Sequence, residues 1–189
     1  MILQQLRTET QALHSALEAR IPLLDATFSR ADYRRLLGRF YGYYVPLEAR
    51  LAGWSQGREM DYAERVKVPE LERDLLALGE TVAGIGQLPR CTVLPALATE
   101  AEGLGCLYVV EGSTLGGQII TRHLQKSLGL SPENGVAFFH GHGAATGARW
   151  KAFGGLLEAA AARLEDDEAI IASANETFRT LDGWLFAKQ

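Results

Sequence analysis

Apolar residues recur at helical spacing along almost the whole chain. One face of a first helix is formed by Leu6, Thr10, Leu13, Leu17 and Ile21, which follow the i, i+4, i+7 pattern. Pro22 is expected to end this helix near residue 20, because proline has no backbone N–H and clashes with the preceding turn. The chain therefore begins with an amphipathic helix that buries one stripe.

A second helix is predicted to begin after Ser29. The serine side chain can accept a hydrogen bond from an N–H group of the first turn, and Asp32 three residues later approximates a capping box. The apolar face then continues through Phe40, Tyr44 and Leu47. Pro46 removes a backbone donor inside this pattern, so we expect it to kink or divide the helix.

Four more helical segments follow, at about residues 59–78, 93–128, 144–165 and 167–187. Gly79, residues 84–89 and residues 129–135 separate them as turns or loops. We find no alternating strand pattern, no internal repeat and no long linker. The prediction is one all-α helical bundle that spans residues 1–189 as a single domain.

Composition narrows the classes of protein that fit. The 189 residues are 47% hydrophobic and 22% charged, with a formal net charge of −4. An acidic chain of this kind has no bulk attraction for nucleic acid or an anionic membrane. No signal peptide and no apolar run long enough to span a bilayer is visible, so we expect a cytoplasmic location. Cys91 and Cys106 have no CxxC spacing and are interpreted as buried thiols.

Glycines cluster within an apolar, helical stretch at residues 108–120. Gly112, Gly116 and Gly117 lie on neighbouring turns, and each costs roughly 1 kcal/mol relative to alanine inside a helix. One explanation is a lid, in which a helix bent at these glycines brings bare backbone against a planar ligand. The other is a close crossing between two helices at small residues. The segment alone does not decide between them.

His14 is the first candidate metal ligand. It sits at the edge of the first helix's apolar stripe, where a neutral imidazole can ligate a metal. Glu18, one turn later, can hydrogen-bond the other ring nitrogen and fix the tautomer. Arg7, two turns earlier on the same side, offers a cation for an acidic group of a ligand. A hydrogen-bonded core histidine is the alternative that these residues alone leave open.

The other histidines fit a ligand role less well. His123 lies about two turns from Gly116 among polar neighbours, which indicates a solvated face. His140 and His142 flank Gly141 in a connection between helices, so we expect them to cap or line the rim of a pocket. No Glu-x-x-His pair of a di-iron site, no nucleophile elbow, no P-loop and no dinucleotide fingerprint is present.

Two segments together resemble the haem oxygenase family. Residues 10–18, Thr-Gln-Ala-Leu-His-Ser-Ala-Leu-Glu, are similar to the family's proximal helix, and residues 112–118, Gly-Ser-Thr-Leu-Gly-Gly-Gln, to its distal helix. The resemblance implies haem held between a proximal N-terminal helix and a kinked glycine-rich distal helix. It also implies His14 as the iron ligand, Glu18 as its support and Arg7 as a contact of a haem propionate.

Further site residues follow from the same resemblance. Gly112, Ser113, Gly116 and Gly117 would form the distal wall, and Tyr44 matches a tyrosine of the distal water network. Ser113 stands where the mammalian pattern has an aspartate, so serine or ordered water must substitute for that carboxylate. Asn175 stands where that pattern has a propionate-pairing lysine, which leaves Arg179 as the cation.

The reaction implied by the resemblance is oxygen-dependent cleavage of haem to biliverdin, carbon monoxide and ferrous iron. Haem would be both cofactor and substrate, and the IXα isomer of biliverdin is expected. No flavin or nicotinamide motif is visible, so electrons must come from an external donor such as a reductase. Residues 111–118, Glu-Gly-Ser-Thr-Leu-Gly-Gly-Gln, followed by residues 138–143 and 149–153, are more similar to the bacterial type that supplies biliverdin to a bacteriophytochrome.

Two other functions remain open at this point. A non-catalytic haem carrier or sensor would share His14 and Arg7 without needing an open distal side. A thiamin-degrading enzyme on the same helical fold would need a cysteine nucleophile with acidic partners, and neither Cys91 nor Cys106 lies in such a constellation.

Overall fold

The computed structural model describes residues 1–56 and 62–187. Within these ranges the chain folds into eight α-helices and two short 3₁₀ helices without a strand, so the all-α prediction is confirmed. The helices are α1 (Ile2–Arg20), α2 (Arg30–Ser55), α3 (Val68–Ala77), α4 (Val82–Gln87), α5 (Glu100–Leu128), α6 (Ala137–His140), α7 (Thr146–Leu164) and α8 (Asp167–Leu185). The 3₁₀ helices are Ala63–Arg65 and Gly143–Ala145.

The first two helices have the termini that their local sequence predicts. Helix α1 ends at Arg20, and Ile21 is extended, as expected for a residue that precedes proline. Helix α2 begins after Ser29 with a complete capping box, because the side chains of Ser29 and Asp32 each accept from the other's backbone N–H. Pro46 does not divide α2, which continues to Ser55.

Two of the predicted helical segments are wrong at their N-terminal ends. Residues 59–61 of the segment 59–78 lie outside the described residues, and the next part is the 3₁₀ helix Ala63–Arg65 before α3. The segment predicted at 93–128 is helical only from Glu100. Thr99 and Glu102 form a capping box there, and Pro95 lies in the preceding non-helical stretch.

Two short helices occupy stretches that were interpreted as connections. Helix α4 covers much of residues 84–89 and begins where the Thr81 hydroxyl accepts from the backbone of Gly84 at 3.0 Å. Helix α6 is fixed by Asp74 of α3, whose two carboxylate oxygens accept from Ala137 N and Phe138 N at 2.8 Å each. Burial raises the pKa of Asp74 to about 6, against the lowering effect of these two bonds.

Helix α8 is the element on which both α5 and α1 pack. A Cβ at Gly105 of α5 would lie 2.2 Å from the carbonyl oxygen of Ile170, so only glycine permits this approach. Ser173 of α8 also donates to the carbonyl of Glu102 at 2.6 Å. On the other side, Arg20 of α1 pairs with Asp182 of α8. Because both helices are fixed to α8, it sets the distance between them.

The interpretation of the cysteines as buried thiols is confirmed, since Cys91 and Cys106 are both buried and free. Burial raises the pKa of the Cys106 thiol to about 12, which keeps it protonated near neutral pH. None of the helices in the described ranges is long and apolar enough to cross a membrane.

Candidate functional site

His14 lies on the surface of α1 with 46% of its side chain exposed, so the alternative of a core histidine is wrong. Its Nε2 atom is 3.2 Å from Glu18 Oε1, one turn later. The ring contacts Phe178 of α8 at a centroid distance of 5.6 Å. A carboxylate that binds one ring nitrogen fixes the tautomer and leaves the other nitrogen to act as a ligand. The geometry is therefore that of an oriented, accessible imidazole.

Two exposed cations accompany this imidazole. Arg7 lies two turns before His14 on α1 and has no hydrogen-bond or ion-pair partner in the described ranges. Arg179 follows Phe178 on α8, and its Nη1 atom is 3.7 Å from Glu176 Oε2. That pair is exposed and weak, so it leaves the guanidinium available to a carboxylate of a ligand.

The three glycines of α5 have different surroundings. A Cβ at Gly117 would lie 2.0 Å from the carbonyl oxygen of Phe139, so this glycine permits a close crossing of α5 and α6. A Cβ at Gly116 would meet no neighbouring heavy atom of the described residues within 4 Å, and one at Gly112 would meet the Trp150 ring at 3.7 Å. The explanation of a close helix crossing is therefore confirmed at Gly117, and the explanation of a lid over a ligand stays a prediction for Gly116 and Gly112. The expectation that Gly117 faces a ligand is corrected, because its missing side chain points at backbone.

The connection after α6 is held against α5 at this crossing. The Gln118 side-chain amide donates to the carbonyl oxygens of His140 at 3.3 Å and Gly143 at 3.2 Å. His140 and His142 thus lie in a turn that packs beside the glycines, and burial lowers the pKa of His142. Helix α5 is continuous from Glu100 to Leu128 through all three glycines, and the proposed bend stays a prediction.

Ser113 of α5 and Tyr44 of α2 have neighbouring hydroxyl groups. Tyr44 of α2 is 4% exposed, and its ring packs on Phe138 at 5.5 Å. The Ser113 side chain donates to the Val110 carbonyl at 2.7 Å, and its hydroxyl lowers the pKa of Tyr44 against the larger effect of burial. Burial raises the pKa of Tyr44 far above its ordinary value, so the hydroxyl remains a donor. Because Ser113 is exposed, this pair connects the buried tyrosine with the surface of α5.

A buried ion pair beneath the same segment was missed by the sequence analysis. Glu111 Oε2 is 3.0 Å from Arg65 Nη1, with the side chains 2% and 14% exposed. The Arg65 guanidinium also lies 5.5 Å from the centre of the Phe153 ring. A single glutamate in the apolar run 104–111 was the available signal, but its partner comes from a distant 3₁₀ helix. Phe178 was missed in the same way, since its contact with His14 joins the two ends of the chain.

An open hollow lies elsewhere, between α1 and α8. It is lined by Gln5, Glu9, Glu168, Ile171 and Ala172. It contains neither His14 nor the glycines of α5, and its charged groups are carboxylates alone. We therefore place the candidate site at His14 and the glycine segment rather than at this hollow.

Comparison with known sequences identifies one family. A sequence model described as Heme oxygenase matches residues 1–186 of the chain. A curated protein named Heme oxygenase from Xanthomonas campestris pv. campestris (strain 8004) is 36% identical over 97 residues. That alignment covers 50% of this chain and 53% of the relative, so it spans about half of the relative's length.

Two solved structures share the fold. The NO- and CO-bound heme oxygenase from Neisseria meningitidis superimposes with a TM-score of 0.79 at 22% identity, over 98% of this chain and 90% of that one. Heme oxygenase from Leptospira interrogans gives a TM-score of 0.79 at 18% identity, over 97% and 98% of the two chains. The single-domain helical architecture is therefore one that these structures also have.

The different surroundings of the two adjacent glycines predict opposite effects of the same substitution. Gly117→Ala should lower the free energy of unfolding by at least about 1–3 kcal/mol, because the methyl group would overlap the Phe139 carbonyl. Gly116→Ala should be neutral or stabilising by up to about 1 kcal/mol, since alanine favours helix and has space. Chemical denaturation of both variants measures the difference. Equal destabilisation would contradict the assigned packing role of Gly117.

Proposed function

Because the chain belongs to the haem oxygenase family, we propose that it cleaves haem with molecular oxygen to biliverdin, carbon monoxide and ferrous iron. The main support for the proposal is that the His14 imidazole is accessible to a ligand and is oriented by Glu18 and Phe178. Haem is the substrate, and its iron supplies the centre at which oxygen is activated. We place it between α1 and α5, with His14 on the proximal side.

The proximal residues fit an iron porphyrin. A neutral imidazole binds iron on one side and leaves the opposite side open to a second ligand. The carboxylate of Glu18 fixes the tautomer of the ring by accepting from its other nitrogen. Phe178 restricts rotation of the imidazole by packing against it at 5.6 Å. Arg7 and Arg179 offer guanidinium groups for the two propionates, which are carboxylates at the edge of haem.

The distal residues fit the oxygen side of the same substrate. At Gly116 no neighbouring side chain of the described residues fills the space where a Cβ would stand, so the α5 backbone can approach a flat ring closely. Gly112 lies one turn earlier, beneath Trp150. Ser113 and Tyr44 offer two neighbouring hydroxyl groups, which can hold water and pass protons where the mammalian pattern has an aspartate.

The proposal extends to the partners of the reaction. Electrons come from a separate reductase or similar donor, because the chain has no flavin or nicotinamide motif. We place the reaction in the cytoplasm and assign the product to a bacteriophytochrome. Residues 138–143 and 149–153, which resemble the bacterial type that serves such a light sensor, support this choice.

One experiment tests the proposed activity. Haem is added to the purified protein, the absorption spectrum is recorded, and reductant and oxygen are then supplied. We expect a histidine-ligated haem complex whose haem bands disappear as biliverdin bands grow. A stable complex that forms no bilin under these conditions would instead identify a haem carrier or sensor.

The first functional prediction concerns the iron ligand. His14→Ala should remove the histidine-ligated spectrum and lower biliverdin formation more than about 100-fold, because the only proximal ligand is lost. Added imidazole should restore part of both by occupying the space left by the ring. His123→Ala is the control and should behave as the unmodified protein. Normal spectra in His14→Ala, with ligation lost in His123→Ala, would refute the assignment.

The second functional prediction concerns the open glycine. Gly116→Leu should fold with nearly unchanged helicity but lose most haem turnover, because the leucine side chain would occupy space assigned to the substrate. Gly53→Leu provides a matched control at an equally open glycine of α2. Circular dichroism and biliverdin formation are measured on both. Normal turnover in Gly116→Leu would show that α5 does not cover the haem.

The third functional prediction concerns where the ring opens. The position of cleavage depends on the rotation of haem in its site, and each guanidinium–carboxylate bond contributes roughly 1.5–3 kcal/mol to holding it. We expect the IXα isomer from the unmodified protein and a mixture of isomers from the double variant Arg7→Ala, Arg179→Ala. Arg35→Ala, which removes an exposed arginine at the start of α2, is the control. Chromatography of extracted bilins tests this, and unchanged isomer and haem affinity in the double variant would assign the propionates to other residues.

A further inference from the structure

We propose that Asp74 is a positioning residue for the distal side of the site, and that it acts by holding the short helix α6 against both α5 and α2. Helix α6 contacts two features assigned to the oxygen side of haem, which are the glycine segment of α5 and Tyr44 of α2. The inference rests on the proposed function, because it concerns where those groups stand relative to the substrate. Asp74 is fully buried, so its effect on haem passes through α6.

Helix α6 depends on Asp74 because it is a single turn of four residues, Ala137–His140. One turn is unstable by itself, since its few hydrogen bonds do not offset the entropy lost in ordering the backbone. Its N-cap residue is Val136, whose side chain carries no acceptor for the free N–H groups of the first turn. The two oxygens of Asp74 accept from Ala137 N and Phe138 N at 2.8 Å each. The carboxylate therefore supplies the missing cap from a distant part of the chain.

Both oxygens of Asp74 can accept only when the carboxyl group is ionised. Burial raises its pKa to about 6, so the group is mostly ionised at neutral pH. Hydrogen bonds to an ionised acceptor are roughly twice as strong as those between neutral groups. An asparagine in this place would have nearly the same shape, but it would offer one acceptor oxygen and turn an NH₂ group toward the second N–H.

Helix α6 meets α5 by direct contact of the two backbones. The carbonyl oxygen of Phe139 lies 2.0 Å from the position that a Cβ of Gly117 would take. The Gln118 side chain donates to the carbonyl oxygens of His140 at 3.3 Å and Gly143 at 3.2 Å, which holds the other end of α6 to the same helix. No flexible side chain lies between the backbones at Gly117 to absorb a displacement. A shift of α6 therefore moves the adjacent backbone at Gly116.

Helix α6 meets α2 through its aromatic rings. The Phe138 ring packs edge-on against Tyr44, with a centroid distance of 5.5 Å and an interplanar angle of 79°. It also contacts Phe40 at 5.3 Å, and the Phe139 ring contacts Phe40 at 5.9 Å. Phe138 is one of the two residues whose N–H groups Asp74 binds. The carboxylate thus holds the residue that packs on the distal tyrosine.

The main experiment titrates azide into the ferric haem complex of Asp74→Asn and follows the absorption spectrum. Azide binds iron on the oxygen side, so its affinity reports on the distal groups without turnover. We expect that affinity to change at least about threefold and kcat for biliverdin formation to fall at least about tenfold, because a displacement of about 1 Å can cost 100-fold in rate. Normal azide affinity and kcat in the folded variant would overturn the inference.

The affinity for haem separates a positioning role from general damage to the site. His14, Arg7 and Arg179 lie on α1 and α8, and Asp74 binds neither helix through the two bonds that the substitution alters. The histidine-ligated spectrum of Asp74→Asn should therefore persist, with haem affinity within about twofold of that of the unmodified protein. A loss of haem affinity as large as the loss of kcat would overturn the assignment to the distal side.

Thr81→Ala is the matched control. Thr81 caps α4, another short helix that packs on α3, by accepting from Gly84 N at 3.0 Å. The substitution also removes a helix cap, but the helix that it releases is α4 instead of α6. It should lower the free energy of unfolding and leave azide affinity and kcat within about twofold. Changes as large as those of Asp74→Asn would show that reduced stability alone causes the effect, and would overturn the positioning role.

Gln118→Ala provides a second variant if Asp74→Asn does not fold. It releases the other end of α6 and keeps Asp74, so we expect the same changes in azide affinity and kcat. Normal values would overturn the inference. Where both variants fold, the double variant should change azide affinity by less than the product of the two single effects, because both act through α6. A change equal to that product would contradict this route.

Amide hydrogen exchange of the haem-free protein tests the same route independently of the proposed function. Asp74→Asn should speed exchange at residues 137–143 and 112–118, while residues 7–18 of α1 exchange as in the unmodified protein. Unchanged exchange at residues 112–118 would overturn the inference. Failure of the proposed function is seen separately, as a lack of haem binding or biliverdin formation in the unmodified protein.

Discussion

The close contact between α5 and α8 is the constraint on which the rest of the structure depends. It forms because Gly105 has no side chain, so the α5 backbone meets the carbonyl of Ile170 directly. Helix α8 also holds α1, through Phe178 against His14 and through Asp182 paired with Arg20. One helix therefore fixes the imidazole on one side and the glycine segment on the other. Helices α1 and α5 each contact α8 more extensively than they contact each other. Packing on α8 therefore sets the distance between His14 and the glycine segment.

Helix α5 combines packing and exposure in adjacent residues. Gly117 lies against the Phe139 carbonyl and so sets the distance between α5 and α6. Gly116 presents bare backbone to open space. The two face directions about 100° apart, which is the rotation from one helical residue to the next. Ser113 lies on the exposed surface one turn before Gly117, and Glu111 points inward to Arg65. A helix that is well packed at Gly117 can thus also present bare backbone at Gly116, where we propose that the planar substrate binds.

Features that depend on neighbours in sequence could be predicted, and features that depend on distant residues could not. The capping box at Ser29 and the end of α1 before Pro22 are local, and both are confirmed. Helix α6 depends on Asp74, which is remote in sequence, so it was interpreted as a connection. The pattern identified His14 and the glycines as candidates, but which glycine packs was decided by the position of Phe139. The pairing of Glu111 with Arg65 has the same long-range origin.

Placement of haem between α1 and α5 is the central claim, and amide hydrogen exchange tests it most directly. Exchange is compared for the protein alone and with one equivalent of ferric haem. We predict slower exchange in two separate segments, residues 7–18 of α1 and residues 112–119 of α5, with α3 and α4 unchanged. Protection of α1 and α8 around the hollow at Glu9 and Glu168, without any change in α5, would contradict the account.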